Sequence, residues 1–397
     1  MYDHISQFEP LLPGSRRRDA LLEKAHHLQR LALAAKGRAH ASVMQAIAPL
    51  LRAMNSYYTN RIEGQHTLPI EIEQALRDDF AANADTRRRQ RLAIAHMNTE
   101  AWAEAHATRT EWPQLFEPAV LQTLHQHLFE QLPPEDRQGE RGEVLVPGAL
   151  RMRDVSVGGH VAPRAKAVPT FLQRFSEVYG GTRSGELALV AVAAAHHRLT
   201  WVHPFIDGNG RVARLHSLVL LQGLGLTNGI WSPLRGLARS QPRYYELLAN
   251  ADLHRRNDLD GRGNLSEEGL VAFCDYFLDM CMDQATFMSQ LLDMQTMKDR
   301  IAACLAFESM RGEGSGIRME ALAPLHYLFL GGPMERGAFK AMTGLASRTA
   351  DRLLQALLGR DLLVSDTPKG AIRFSVPLHA LRFYFPALWP EAEAGSG

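Results

Sequence analysis

Between positions 203 and 214 the chain reads His-Pro-Phe-Ile-Asp-Gly-Asn-Gly-Arg-Val-Ala-Arg, and these residue types at this spacing suit work on a phosphate ester. Pro204 has no backbone N–H to give and stops the apolar helix that the pattern sets over 185–202. Gly208 and Gly210 let the main chain approach a ligand and turn successive N–H groups onto one point, just before a helix expected over Arg211–Leu226. Such a nest at a helix start is a ready anion site. Arg211 and Arg214 lie at i and i+3 on one helix face, where both can grip phosphate oxygens. Asp207 offers the hard oxygen that Mg²⁺ prefers, and His203 is the side chain of the segment able to take a proton near neutral pH. Singly each feature is commonplace: Gly-x-Gly is usually a turn, and two arginines are usually a solvated face. Together, a base, a metal-type carboxylate, an anion nest and two cations are what in-line attack on phosphorus requires.

The elements that must position this segment read as helices almost throughout. Residues 18–60 carry apolar side chains at spacings of three and four, 69–107 reads as two further helices, and 118–131 as another. From 134 to 168 the texture changes to Gly, Pro and Arg, with alternation over Arg153–Val157, which predicts a hairpin-like insertion at 148–163 whose Gly158-Gly159 keeps its edge mobile. Upstream, Thr59-Asn60-Arg61-Ile62-Glu63-Gly64 puts Thr59 and Glu63 one turn apart on the same helix face, with Gly64 as a natural stop. On physics alone that is a helix end with a solvated glutamate. Tyr244 and Tyr245 sit at helical spacing, where tyrosines are more often core. Asp258 to Ser266 opens like a calcium loop but puts Arg262 at a ligand place and Gly269 where the bidentate glutamate belongs. We read it as a loop in which Ser266 caps a helix over Glu267–Met280. His26-His27, His125 with His127, and His196-His197 lack metal-ligand spacing and read as structural, the last pair behind the site.

HPFIDGNGRVAR fits the HxFx(D/E)GNGRxxR signature of the Fic family at every position, and the likeness extends roughly over residues 50–280. The family resemblance implies a mainly α fold, a helical core with a small β-hairpin flap, and transfer of AMP from ATP to a Ser, Thr or Tyr hydroxyl of a target protein. It implies that His203 deprotonates the hydroxyl and that Asp207 binds Mg²⁺. Gly208, Asn209 and Gly210 would cradle the phosphates, Arg211 and Arg214 would hold the triphosphate tail, and Phe205 would anchor the loop inward. The intact Gly208 is unlike the related Doc kinases. Thr59, Glu63 and Gly64 resemble the (S/T)xxxE(G/N) inhibitory motif, in which the glutamate pairs with the second arginine of the loop, here Arg214, where the ATP γ-phosphate belongs. The 148–163 hairpin resembles the flap that pairs with a target's backbone. Tyr244 and Tyr245 resemble the step lining the adenine site, although Asp252 stands where family members often have Asn.

The last hundred residues read as a separate unit beyond a linker at Gly312–Gly316. Helices over Ala321–Leu330, 333–342 and Ser347–Leu358, a turn at Gly344, and strands at Leu362–Ser365 and Ala371–Val376 follow the plan of a winged helix-turn-helix. Arg348 and Arg352 share a face of its recognition helix, and Lys369 and Arg373 lie on the wing. We therefore divide the chain into an N-terminal helical region carrying the inhibitory motif (1–110), a Fic catalytic core (111–290) and a winged helix-turn-helix (291–397), ending in a frayed tail at 391–397.

Composition sets limits on partners. With 44 Lys+Arg against 43 Asp+Glu the net charge is +1, which excludes a nucleic-acid binder working by bulk charge. Three cysteines without CxxC spacing exclude a disulfide framework and a Cys-built zinc site, and point to a reducing compartment. The N-terminus has no signal-type apolar stretch, and no run of eighteen apolar residues occurs. The expectation is a cytoplasmic enzyme whose partners are ATP, Mg²⁺, a target protein (itself included) and, as a homodimer, a second copy. Two other readings stay open: a DNA-binding transcriptional regulator that senses nucleotide through its Fic core, and an enzyme that removes AMP from a modified protein.

Overall fold

Ala- and Leu-rich stretches lose little side-chain freedom in a helix, and helices dominate. The computed structural model describes residues 2–37, 40–139, 142–182, 185–311 and 315–388. Most of the Gly312–Gly316 linker and the whole 391–397 tail lie outside the described residues. In chain order come α1 (Ser15–Lys36), α2 (Ala41–Ile62), α3 (Pro69–Leu76), α4 (Ala84–Ala107) and α5 (Pro118–Glu130). A short hairpin follows, β1 (Ser156–Val157) and β2 (His160–Val161). Then come α6 (Val168–Gly180), α7 (Gly185–Val202), α8 (Asn209–Gly223), α9 (Leu234–Arg239), α10 (Gln241–Asp252) and α11 (Glu267–Leu291). The remainder comprises α12 (Met294–Met310), α13 (Leu322–Gly331), α14 (Arg336–Thr343), α15 (Ser347–Gly359), β3 (Leu363–Val364), β4 (Arg373–Phe374) and α16 (Leu378–Tyr384). Among the described residues no helix is long and apolar enough to cross a membrane.

The chain divides into two units, Met1–Ala32 with Arg52–Ala285, and Leu33–Leu51 with Thr286–Gly397. At the centre of the first stand α7 and α8. Every residue of α7 from Ala188 to Leu199 is buried, and its run of alanines lets α6 and α8 come close. α8 packs on α7 and α4, and α5 packs on α4 and α8. Val212, Leu215, Val219 and Leu220 are fully buried, each worth about 1.5–3 kcal/mol of transfer free energy. Beneath the end of α7, Trp201 meets Phe8 at 5.1 Å and Phe171 at 5.6 Å. These helices give the segment between α7 and α8 a rigid floor.

In the second unit α12 packs on α13 and α16, and α14 bridges α13 and α15. β3 and β4 pair antiparallel, Leu363 opposite Phe374, and Met334 bridges Ile372 beside them. Gly344 takes the left-handed conformation (φ 68°) that closes α14, as its position as a turn requires. Phe329 and Phe374 meet edge to face at 5.6 Å in a core with buried Phe339 and Leu353.

Boundaries moved where side chains took other work. α8 begins at Asn209, two residues before Arg211, because Gly208 caps it in the left-handed region. α11 runs past Met280 to Leu291, since Cys281, Ala285, Met288 and Leu291 continue its buried face. The first hairpin strand shrinks to Ser156–Val157: Arg153 pairs with Glu143, and the Asp154 carboxylate accepts the Ala165 amide at 2.7 Å. The wing strands are shorter than Leu362–Ser365 and Ala371–Val376, because Ser365 Oγ turns to the carbonyls of Thr367, Gly370 and Ala371.

Candidate active site

His203 ends α7. Its amide closes the last turn on the Leu199 carbonyl at 3.1 Å while its own φ is +49°, a strained value for a residue with a Cβ. Arg151 holds that strain in place. Its Nε donates to the His203 carbonyl at 2.7 Å and its Nη2 to the carbonyls of Val202 and Pro163, while Nη1 reaches the Arg153 carbonyl at 2.9 Å. One buried guanidinium thus neutralises the helix C-terminus and ties it to both flanks of the β1–β2 hairpin. Burial first, and then His160 and Arg151 nearby, pull the His203 pKa down to about 4. At neutral pH the imidazole is uncharged and able to accept a proton.

The loop from Phe205 to Gly210 is tied down from within. Phe205 is fully buried and stacks on His125 at 4.1 Å. The Gly148 amide donates to His125 Nδ1 at 2.8 Å, so the ring's proton sits on Nε2 and points at the Asp207 carbonyl, 3.3 Å away. Burial, with Arg211 close by, lowers the His125 pKa to about 4, in keeping with a neutral ring. Asn209 spends its amide on Phe205, accepting from its N–H and donating to its carbonyl, both at 2.9 Å. Its side chain therefore shapes the loop. Gly208 has φ 79°, and a Cβ there would lie 2.6 Å from the Phe129 ring, so no other residue fits.

Asp207 Oδ1 accepts the Gly208 amide and Arg211 Nη2, the latter at 3.3 Å, which leaves Oδ2 to the cleft. Arg211 also stands 5.3 Å over the Phe129 ring, and its Nε is buried with no hydrogen-bond partner. Arg214, with its side chain 1 % exposed, donates from Nε to Thr59 Oγ1 at 2.7 Å and from Nη2 to the Thr59 carbonyl at 3.3 Å. The same Nη2 pairs with Glu63 Oε1. That oxygen lies 2.5 Å from where a Gly210 Cβ would be, so the carboxylate rests on the start of α8. Burial raises the Glu63 pKa, but attraction to Arg214 and Arg211 outweighs it and the net shift is downward.

The two tyrosines part company. Tyr244 is buried, with its hydroxyl 2.8 Å from His196 Nε2. Tyr245 Oη donates to the Ile62 carbonyl at 2.8 Å, as does Gln241 Nε2 at the same distance. Both clamp the end of α2, and Gly64 beyond it takes φ 71°. His203, Asp207, Gly208, Asn209, Gly210 and Glu63 line one side of a cleft of about 610 Å³, and the hairpin from Arg153 to Gly158 lines the other. The fold thus brings His203, the Asp207–Gly210 stretch, the hairpin and Glu63 to one cleft; Thr59, Gly64, Phe205, Arg211, Arg214, Tyr244 and Tyr245 do not line it. Sequence reasoning missed Arg151, His125 and Phe129 as supports of the loop. His125 carried no local signal beyond its place in a helix, and Arg151 none beyond its charge. In the calcium-like loop, Asp260 gives its carboxylate to the amides of Glu268 and Arg256, and Ser266 Oγ accepts from Gly269 as a helix cap.

Residues 115–221 match the family model described as "Fic/DOC family". Over 106 residues the chain is 37% identical to "Protein adenylyltransferase Fic" of Drosophila willistoni, a stretch covering 26% of this chain and 20% of that protein. The protein of the same name from Drosophila grimshawi is also 37% identical over 106 residues, 26% of this chain and 21% of its own length. The matched stretch thus spans about a fifth of the length of these curated relatives. Among solved structures, a Fic family protein from Desulfovibrio desulfuricans G20 superposes with a TM-score of 0.51 at 18% identity, over 89% of this chain and 96% of that one. At that identity the likeness is one of fold. Residues 115–221 thus resemble a Fic/DOC family domain, within a mainly helical chain.

Proposed function

We propose that the chain is a protein adenylyltransferase held in check by its own Glu63. One observation carries the reading: the Glu63 carboxylate, just past the end of α2, lies at the start of α8, paired with Arg214 and resting on Gly210. A site built for a carboxylate oxygen at a helix N-terminus, with two arginines, is built for a phosphate oxygen too. The buried, partnerless Nε of Arg211 offers a further donor. In the released enzyme the α8 amides and the two arginines hold the polyphosphate of ATP. A target hydroxyl gives its proton to His203 as its oxygen attacks the α-phosphorus, and pyrophosphate leaves.

Asp207 fits Mg²⁺, since its Oδ2 is left to the cleft while Oδ1 is oriented by Gly208 and Arg211. A bound Mg²⁺ would supply neutralisation of phosphate charge. The β1–β2 hairpin, with Val157 and Val161 exposed across the cleft from His203, suits backbone pairing with the target. Tyr245 supports the brake by holding the end of α2, and Tyr244 stands behind Arg214.

The order α13, α14, α15, β3 and β4, with Met334 bridging Ile372, supports a winged helix in the second unit. Incubation of Glu63→Ala and parent with α-labelled ATP and cell lysate tests the enzymatic reading. Label transferred by the variant and not by the parent supports it; label from neither removes it.

A further inference from the structure

The hairpin is held to the catalytic end of α7 by a side chain that none of the motifs includes. His160, on β2, lies with Nε2 2.8 Å from the Trp201 carbonyl and Nδ1 3.5 Å from Asp252 Oδ2. A carbonyl only accepts, so Nε2 carries a proton. Asp252, the last residue of α10, is itself oriented from behind. Arg198 Nη1 donates to His197 Nδ1 at 2.7 Å, which puts the His197 proton on Nε2. That nitrogen shares it between the Leu248 carbonyl and Asp252 Oδ1, both 3.1 Å away. One carboxylate oxygen is thus taken by a buried histidine, and the other is turned to the hairpin. With Nδ1 of His160 unprotonated, a lone pair would face that oxygen; with it protonated, the contact is an ion pair only partly open to water, the side chains being 12 % and 21 % exposed.

We propose that His160 and Asp252 form a charge-dependent clasp that docks the β1–β2 hairpin onto the end of α7 and so sets the placement of its edge over His203. Its consequence for the acceptor protein rests on the reading of the hairpin as the target-docking strand. The groups that face the clasp are few. Asp252 comes from α10, with His197 and Arg198 of α7 behind it. His203 and Arg151 stand on the loop side. Tyr2 lies 4.8 Å from Trp201 and close enough to Asp252 to feel its charge. Within the loop-side groups, His160 and Arg151 both act on His203, after burial, to lower its pKa. His160 is a positioning residue: it grips the hairpin and the floor, and touches the reaction only through them.

Hydrogen exchange of the 153–166 segment in the full chain tests the clasp. Corrected for intrinsic rates, exchange in the parent should be about three- to tenfold faster near pH 8 than near pH 5.5. Asp252→Asn keeps the shape and removes the charge, and should give the fast rate at both pH values, with peptides of α7 unchanged. His160→Gln keeps a donor for the Trp201 carbonyl and should do the same. Parent-like exchange in both variants, or a parent rate indifferent to pH, overturns the clasp. No nucleotide transfer is read in this experiment, so failure of the adenylyltransferase reading would show itself elsewhere and leave this result standing.

Discussion

Two basic regions of this chain differ in how their charges are kept. Around the 203–214 loop, Arg151, Arg211 and Arg214 are buried and tied to named partners: helix-end carbonyls, Asp207, Thr59 and Glu63. In the second unit Arg348, Arg352 and Lys369 stand exposed, Lys340 pairs with Asp351 at 2.9 Å, and Arg373 pairs with Asp366. Burying a guanidinium is costly for each donor left unsatisfied, as Arg211 Nε is, so each burial constrains the geometry of what can pair with it. Exposed charges impose no such constraint. In the first region burial fixes the geometry of the charges, and in the second the charges stand in solvent, where salt screens them.

The sharpest way to break this contrast is at the base. In the Glu63→Ala background, His203→Ala should lower transfer from α-labelled ATP by about 10²–10⁴-fold. Circular dichroism should show the fold retained, and transfer that stays near the level of the Glu63→Ala single variant would dismiss His203 as the base. Glu63→Ala itself should raise transfer by about one to two orders of magnitude, the usual span of coupling between sites. The same labelling, done as a time course on purified protein, measures it.

The pH profile comes next. His203, with its pKa lowered to about 4, is neutral above that value, so the acid limb of the Glu63→Ala profile should lie near 4 and not at the ordinary 6.5. Glu63 is shifted downward, so its pairing with Arg214 is present at neutral pH and is lost as pH falls through the lowered value. The ratio of variant to parent activity should therefore shrink toward acid pH. A ratio constant with pH would separate the brake from the charge of Glu63. Smallest are the effects at the surface. Arg348→Ala and Arg352→Ala should change thermal stability by no more than about 0.5 kcal/mol. Any shift of DNA in electrophoresis should weaken alike for all sequences and lose about one unit of salt slope per arginine removed, if these residues contact phosphate. Loss confined to one DNA sequence would instead favour the transcriptional-regulator reading.

Much of the fold was legible because it is local. Helical periodicity predicted α5 and α7 to within a residue or two, Gly344 marked its turn by its need for positive φ, and Pro204 marked the end of α7. The 203–214 segment announced its chemistry because base, carboxylate, glycines and arginines are neighbours in sequence. Less legible was the division of labour inside it. The family resemblance implies a phosphate contact for Asn209, and only the fold shows its amide engaged with Phe205. Tyr244 and Tyr245 are adjacent in sequence, yet one is sunk against His196 and the other holds the end of α2.

By itself the sequence determined the helical character, the loop and its reactive groups, since these depend on residue type and short spacing. The tertiary structure alone decided that the carboxylate of Glu63 meets Arg214 and that His125 props the loop. It alone set Arg151 against the end of α7 and His160 against Asp252. Those contacts join residues far apart in the chain, and which of many charged or aromatic side chains meet is set by where helices cross and what their crossing buries. A pattern of spacings holds no record of such crossings.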